Sequence, residues 1–363
     1  MALTRTLLVA ACLFLTACGT DGRTGTFQPP SGAATSPAPA EVDPPEVEVL
    51  ATGLEAPWGI AFLPDGDALV SERDSTRIVR IPAAGGTPVE VMRIGDARPR
   101  GEGGLLGLAV SPSYGTDKLV YAYLTAADDN RVVRFTLGGP LEPVLTGIPK
   151  GAIHNGGRIA FGPDGLLYVG TGDTGIRGFA QDRRSLGGKI LRVRPGGEPE
   201  VYSTGHRNVQ GLAFDARGRL LATEFGQNRF DEVNVVARGD NGGWPEVEGS
   251  GTGGGRYLEP FVTWTTDEAS PSGAAVVGNN LYVAALRGER LWRVPLDGGA
   301  PQPLLRGRFG RLRAAAAAPD GSLWLLTSNR DGRGDPADTD DRVLRLPLRS
   351  AAPSASPSAT MVR

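Results

Sequence analysis

The chain is short of the residues that most often carry structure or chemistry by themselves. Its 363 residues include two cysteines, two histidines and three methionines. Both cysteines, Cys12 and Cys18, lie at the extreme N-terminus. The domain that follows has no disulfide to make, so its stability comes from packing and from any ions it binds. The longest apolar run, Leu7 to Leu15, is too short to span a bilayer. A net charge of −2 excludes a strongly basic surface of the kind that binds nucleic acid or anionic lipid. Helix-rich architecture is excluded as well, because 53 glycines and 29 prolines exceed what helices tolerate.

What is present is punctuated strand. Residues 1–18, with Arg5, an apolar stretch and the ending Leu15-Thr16-Ala17-Cys18, predict a lipoprotein signal peptide. The L-T-A-C ending resembles a lipobox, which places a lipid on Cys18 and the mature protein outside the cytoplasm, anchored to the cell membrane. A plain signal peptide is the alternative. Residues 19–45 are Gly, Thr, Ser, Pro and Ala with little apolar content, which predicts a flexible tether, and 350–363 predict a disordered tail of the same kind.

Between them one phrase recurs six times: apolar strand, turn, apolar strand. The copies begin at Ile60, Leu108, Ile159, Leu212, Ala274 and Ala315, about 40 to 60 residues apart. Each is followed by a third strand of alternating pattern, such as R-I-V-R-I-P, R-V-V-R-F-T and R-V-L-R-L-P. The last unit has no chain left for an outer strand, and Glu46–Ala51 precedes the first with no other home. The expectation is an all-β, six-bladed β-propeller over 46–349, closed by that N-terminal strand. Seven or eight blades would need more chain; the long interval between copies four and five is filled by the Gly-rich stretch Gly239–Arg256.

In a propeller, loops from one face converge on the central channel, so residues scattered in sequence build one site. Unusual polar residues stand just before the inner strands: Glu102, His154, Arg207 and Asn208, Arg311 and Arg313. With Arg287 they put four arginines towards one mouth, which implies a polyanionic ligand or acidic counter-charge. Singly, each arginine reads better as surface charge; the coincidence of position is what raises the functional reading. His206 reads as structural, Trp58 as core or cavity wall, and Asp173 as a turn-forming carboxylate. The acidic, Gly-rich stretch Phe225–Pro245 suits calcium, although Asp and Asn also favour turns.

The motifs H-N-G-G-R-I-A-F-G-P-D-G, S-L-G-G-K-I-L-R, G-H-R-N-V-Q-G-L-A-F, D-E-V-N-V-V-A-R-G-D-N-G-G-W-P and L-R-G-E-R-L-W-R-V together resemble the soluble pyrroloquinoline quinone (PQQ)-dependent aldose sugar dehydrogenases, the glucose/sorbosone dehydrogenase family. The resemblance runs from about Glu46 to Leu348. It implies PQQ and calcium as cofactors, an aldose oxidised to its lactone, and electrons passed to an external acceptor. It further implies His154 as catalytic base, with Arg207, Asn208, Arg311 and Arg313 at the quinone. Arg287 stands where some members have Lys, and Glu102 where some have Gln. Gly226 and Gln227 match the carbonyl pair that holds the active-site calcium; Glu232 and Gly242 match part of a second, structural calcium site. Two other classes share the architecture: calcium-dependent lactonases, which need side-chain oxygens where this chain has arginines, and non-catalytic binding propellers.

Overall fold

The computed structural model describes residues 46–194, 197–251 and 254–348. The expected signal segment, tether and tail lie outside the described residues. Six four-stranded antiparallel sheets are arranged as propeller blades. Their inner strands are Pro57–Phe62, Leu105–Val110, Ile159–Phe161, Val209–Phe214, Pro271–Val277 and Leu312–Ala317, one for each repeat read in the sequence. Each blade then runs outward in chain order, except the sixth. Its outermost strand is Glu48–Ala51, which pairs with Val343–Leu346 through Glu48↔Arg345, Val49↔Leu344 and Ala51↔Val343. The ring is therefore closed by the N-terminal strand, as expected.

The alternating pattern explains the packing. In a blade's second strand, Leu69 packs towards the second blade while Ala68 and Val70 pack towards the sixth. Repeated around the ring, this gives six apolar cores, one between each pair of neighbouring blades. No blade buries both faces alone, so the fold is cooperative round the circle.

One local irregularity aims the site. In five of the six blades the pairing of the inner strand breaks near its start, between Pro57 and Ile60, Leu105 and Leu108, Val209 and Gly211, Pro271 and Ala274, and Leu312 and Ala314. A bulge re-aims the side chains within it. Trp58, Gln210 and Arg313 sit in these breaks, and all three line the cavity described next.

Candidate active site

His154 lies in the segment that enters the third blade. Its backbone is held at φ 52, followed by Gly156 at φ 63 and Gly157 at φ 110. Gly156 is required here: a Cβ on it would fall 2.5 Å from the Cα of Thr171. The turn is stapled by Asn155, whose amide oxygen accepts from Asn130 Nδ2 at 2.9 Å and Gly151 N at 3.0 Å. The Tyr123 hydroxyl donates to the Asn155 carbonyl at 2.8 Å.

The imidazole itself is fixed by Asp173. Nδ1 lies 2.7 Å from Asp173 Oδ1. Oδ2 of the same carboxylate accepts from Trp244 Nε1 at 2.8 Å, and Oδ1 also accepts from Gly175 N at 2.8 Å. Burial would raise the Asp173 carboxyl; the donors from His154, Gly175 and Trp244 outweigh it and hold the group below the ordinary carboxylate range. An anionic Asp173 places the proton on Nδ1 and leaves Nε2 as the basic nitrogen. Asp173 does close a turn, as its sequence context suggests, but its main partner is the histidine. That link is invisible in sequence because it joins two strand ends across a blade.

Glu102, Asn208, Arg287, Arg311 and Arg313 line one cavity of about 360 Å³, together with Trp58, Gln210 and Arg73. Asn155 and Asn208, chain neighbours of His154 and Arg207, also line it. Trp58 is thus cavity wall, with its ring buried and one face covered by the Arg158 guanidinium 4.2 Å from the centroid. Glu102 is fully engaged: Oε2 accepts from His154 N at 2.8 Å and Oε1 from Arg333 Nη2 at 2.8 Å. It positions the histidine backbone. Arg287 stands at the rim, 62% exposed and paired with Asp267 at 2.6 Å.

The buried arginines are under-compensated. Arg311 and Arg313 share one carboxylate, Asp331, at 3.0 and 3.3 Å. Burial, only partly offset by Asp331 and aggravated by Arg311 and Arg73, pushes Arg313 down to about 10. Arg207 is likewise lowered by burial. The Nε atoms of Arg207, Arg311 and Arg313 are all buried and without a hydrogen-bond partner among the described residues. Orphaned donors of this kind are costly unless a ligand satisfies them, and three cationic ones call for an anion. Arg73, Arg333 and Gln210 line the cavity and were missed by sequence reasoning, as was Asp331, the counter-charge of Arg311 and Arg313; Gln210 stands inside G-H-R-N-V-Q-G-L-A-F, the other three in no distinctive motif.

His206 is structural as expected. It is fully buried, with Nδ1 2.9 Å from Glu224 Oε2 and Nε2 2.7 Å from Ser203 Oγ. Beside it a small cleft of about 20 Å³ gathers Gly226, Glu232, Gly242, Arg207, Glu224 and Glu248. Gln227 borders the cleft through its amide, which donates to Glu248 Oε1 at 2.8 Å; Asn228, Arg229 and Phe230 amides donate to the same oxygen. Burial, reinforced by repulsion from Glu224, pushes Glu232 up to about 7. Burial likewise raises Asp231 to about 6. Glu232, under such strain beside Glu224 and Glu248, fits a cation in this cleft, with carbonyls from the glycine-rich turns supplying further oxygens. Asp231, next to it in the strand, turns to the other face, where its oxygens accept from Gly226 N and Ser270 N.

Comparison with known proteins gives one consistent result. The family model for glucose/sorbosone dehydrogenases matches residues 54–335. The PQQ-bound aldose sugar dehydrogenase of Streptomyces coelicolor superposes with a TM-score of 0.80 at 53% identity, covering 85% of this chain and 99% of that one. Aldose sugar dehydrogenase YliI of Escherichia coli is 27% identical over 348 residues, 81% of this chain and 92% of that protein. Quinoprotein glucose dehydrogenase B of Acinetobacter calcoaceticus is 28% identical over 252 residues, 56% of this chain and 52% of that one.

Proposed function

The chain belongs to the glucose/sorbosone dehydrogenase family, whose members are quinoprotein sugar oxidoreductases, and from that premise we propose that it oxidises aldoses at the anomeric carbon to lactones, using PQQ and calcium. The observation that carries this reading is the pair of buried Nε atoms on Arg311 and Arg313, without a hydrogen-bond partner among the described residues, in a cavity that Asn155, next to His154, also lines. A third such atom, on Arg207, stands in the smaller cleft that shares Phe225 with it. A flat tricarboxylate meets that donor set, and Trp58 offers an aromatic wall.

Each residue then has a task. Arg311 and Arg313 hold carboxylates of the cofactor from the sixth blade, Arg207 and Asn208 from the fourth, and Arg287 attracts anions at the rim. Glu102 holds the His154 backbone, and Asp173 holds its ring. His154 Nε2 takes the proton of the anomeric hydroxyl as the carbon gives up hydride. PQQ bound in the cavity supplies the two-electron acceptor, and calcium at the Gly226 and Gln227 carbonyls supplies Lewis acidity. Glu232 and Gly242 contribute to a second, structural calcium. Electrons leave to an external acceptor. The L-T-A-C ending supports a lipid-anchored, extracytoplasmic enzyme.

The test is reconstitution. Purified protein freed of cofactor is assayed for dye reduction with a panel of aldoses, with PQQ and calcium added singly and together. Turnover that requires both, with lactone as product, is the expected outcome. Absence of turnover on every aldose with both present would overturn the reading.

A further inference from the structure

The six inner strands are copies of one phrase, so they can be compared position by position. The pairs Ile60↔Val70, Leu108↔Ala122, Ile159↔Val169, Leu212↔Ala222, Ala274↔Val283 and Ala315↔Leu325 set the register. The residue immediately before the first member of each pair is Gly59, Gly107, Arg158, Gly211, Gly273 and Ala314. Five blades leave this position empty or fill it with a methyl group; the third puts an arginine there.

The blades touch at this level. A Cβ on Gly59 would lie 2.7 Å from Leu106 O, and one on Gly107 2.2 Å from Gly157 O. The Arg158 side chain instead crosses the axis. Its Nε donates to the Gln210 carbonyl of the fourth blade at 2.8 Å, and its guanidinium covers Trp58 of the first blade. Its Nη2 lies 3.1 Å from the place a Cβ would take on Gly273 of the fifth. One side chain rooted on the third blade thus meets three others and forms the neck of the central channel.

The neck separates two spaces. On one side is the arginine-lined cavity. On the other is a second cavity of about 480 Å³, lined by inner-strand residues of all six blades, in which Arg158 is the single charged lining residue. Each inner strand has a strand partner on its outer side alone, so its axial edge turns backbone groups towards this space.

Among the described residues Arg158 has no counter-charge. Its Nη2 is buried without a hydrogen-bond partner, and the nearest charge it feels is another cation, Arg313, whose guanidinium stands 6.0 Å from the same Trp58 ring. A buried cation with a free donor beside a second buried cation is an unstable arrangement until an anion joins it. We infer that the channel neck at Arg158 binds a small monovalent anion of the halide class, which enters from the second cavity and is distinct from the polyanion held on the far side of Trp58. The constriction of touching blades selects for small size, and the guanidinium, engaged through Nε alone, turns its Nη donors to the anion.

The site is tested without cofactor, so its failure is separate from failure of the dehydrogenase reading. The full chain, free of PQQ, is titrated with chloride and with bromide at constant ionic strength made up with a bulky sulfonate. Melting temperature should rise and saturate, by roughly 2–4 °C at high occupancy, and bromide-soaked crystals should show anomalous density at Arg158. Arg158→Met should abolish the saturable rise. Arg158→Lys, a milder change if the first does not fold, should move its midpoint at least tenfold higher. Arg311→Met should leave the midpoint unchanged, and added PQQ should not displace bromide. An unaltered midpoint in Arg158→Lys, absence of bromide density, or displacement by PQQ would each overturn the inference.

Discussion

His154 Nδ1 and Asp173 Oδ1 are 2.7 Å apart, across 19 residues of chain, and the carboxylate is almost completely buried. The pair fixes which nitrogen of the ring is free. His154→Ala should therefore lower kcat by roughly 10²–10⁴-fold, the usual contribution of a general base, while PQQ affinity by fluorescence titration stays near wild type. Asp173→Asn should also lower kcat while keeping an acceptor for Trp244 Nε1. A His154→Ala enzyme with wild-type turnover at saturating PQQ and sugar would remove the histidine from the chemistry.

Arg311→Ala should act on binding. Losing a charge-assisted hydrogen bond costs about 1.5–3 kcal/mol, or roughly 10- to 150-fold in the Kd for PQQ. At saturating cofactor, kcat should recover to near the wild-type value. A fall in kcat with unchanged Kd would place Arg311 in catalysis instead.

Calcium dependence should carry a pH signature. Glu232 is raised from its ordinary 4.5 to about 7 by burial and by Glu224. Between those values the folded protein without metal holds a proton that the unfolded chain has released, so stability falls as pH rises from about 4.5 to 7. A cation in the cleft favours the ionised carboxylate and reverses that loss. The rise in melting temperature on adding calcium should therefore be larger at pH 7.5 than at pH 5. Equal rises at both pH values would exclude Glu232 as a ligand.

Lys189 is the fold's buried ammonium. Its Nζ donates to the carbonyls of Phe179, Ala180 and Gly187 at 2.5, 3.1 and 2.8 Å, and burial pushes it down to about 8. Desolvation favours removing the charge, but three buried carbonyls would lose their donor. At about 1–3 kcal/mol for each unsatisfied group the carbonyls win. Lys189→Met should lower the melting temperature by several degrees, measured by circular dichroism; an unchanged or raised value would show that desolvation dominates.

Anchoring is tested by fractionation. Cys18→Ala should move the protein from the membrane to the soluble fraction of a bacterial host. A wild-type protein already soluble after signal cleavage would exclude the lipid.

Much of the fold was legible because a propeller repeats its sequence. Turn residues at fixed offsets marked each hairpin, and the homeless Glu46–Ala51 segment pointed to ring closure, which the pairing of Glu48–Ala51 bears out. The arginine cluster was legible from its recurrence at the same point of several repeats. Asp173 and Trp58 were not, because a carboxylate after a strand and a tryptophan before one have several ordinary uses. Gln210 acquires meaning only from partners on other blades, and Asp331 only from arginines that stand 18 and 20 residues before it in the sixth blade. Arg158 stood in full view within H-N-G-G-R, yet its reach across the axis depends on the glycines of four other blades.

The first strand also sets an order of events during synthesis. Glu48 and Arg345, joined across the closing pair, are 297 residues apart. Hairpins of the first five blades form from neighbouring chain as it emerges, but the sixth must await synthesis of Val343–Leu346 while the leading strand remains unclaimed. Loop entropy penalises so distant a closure only logarithmically, so the delay is one of time rather than energy. Once it has emerged, the strand Val343–Leu346 has an open edge until Glu48–Ala51 pairs with it. An identical leading strand from a neighbouring molecule fits that edge as well as its own, which makes crowding at the moment of release the point where two rings exchange ends.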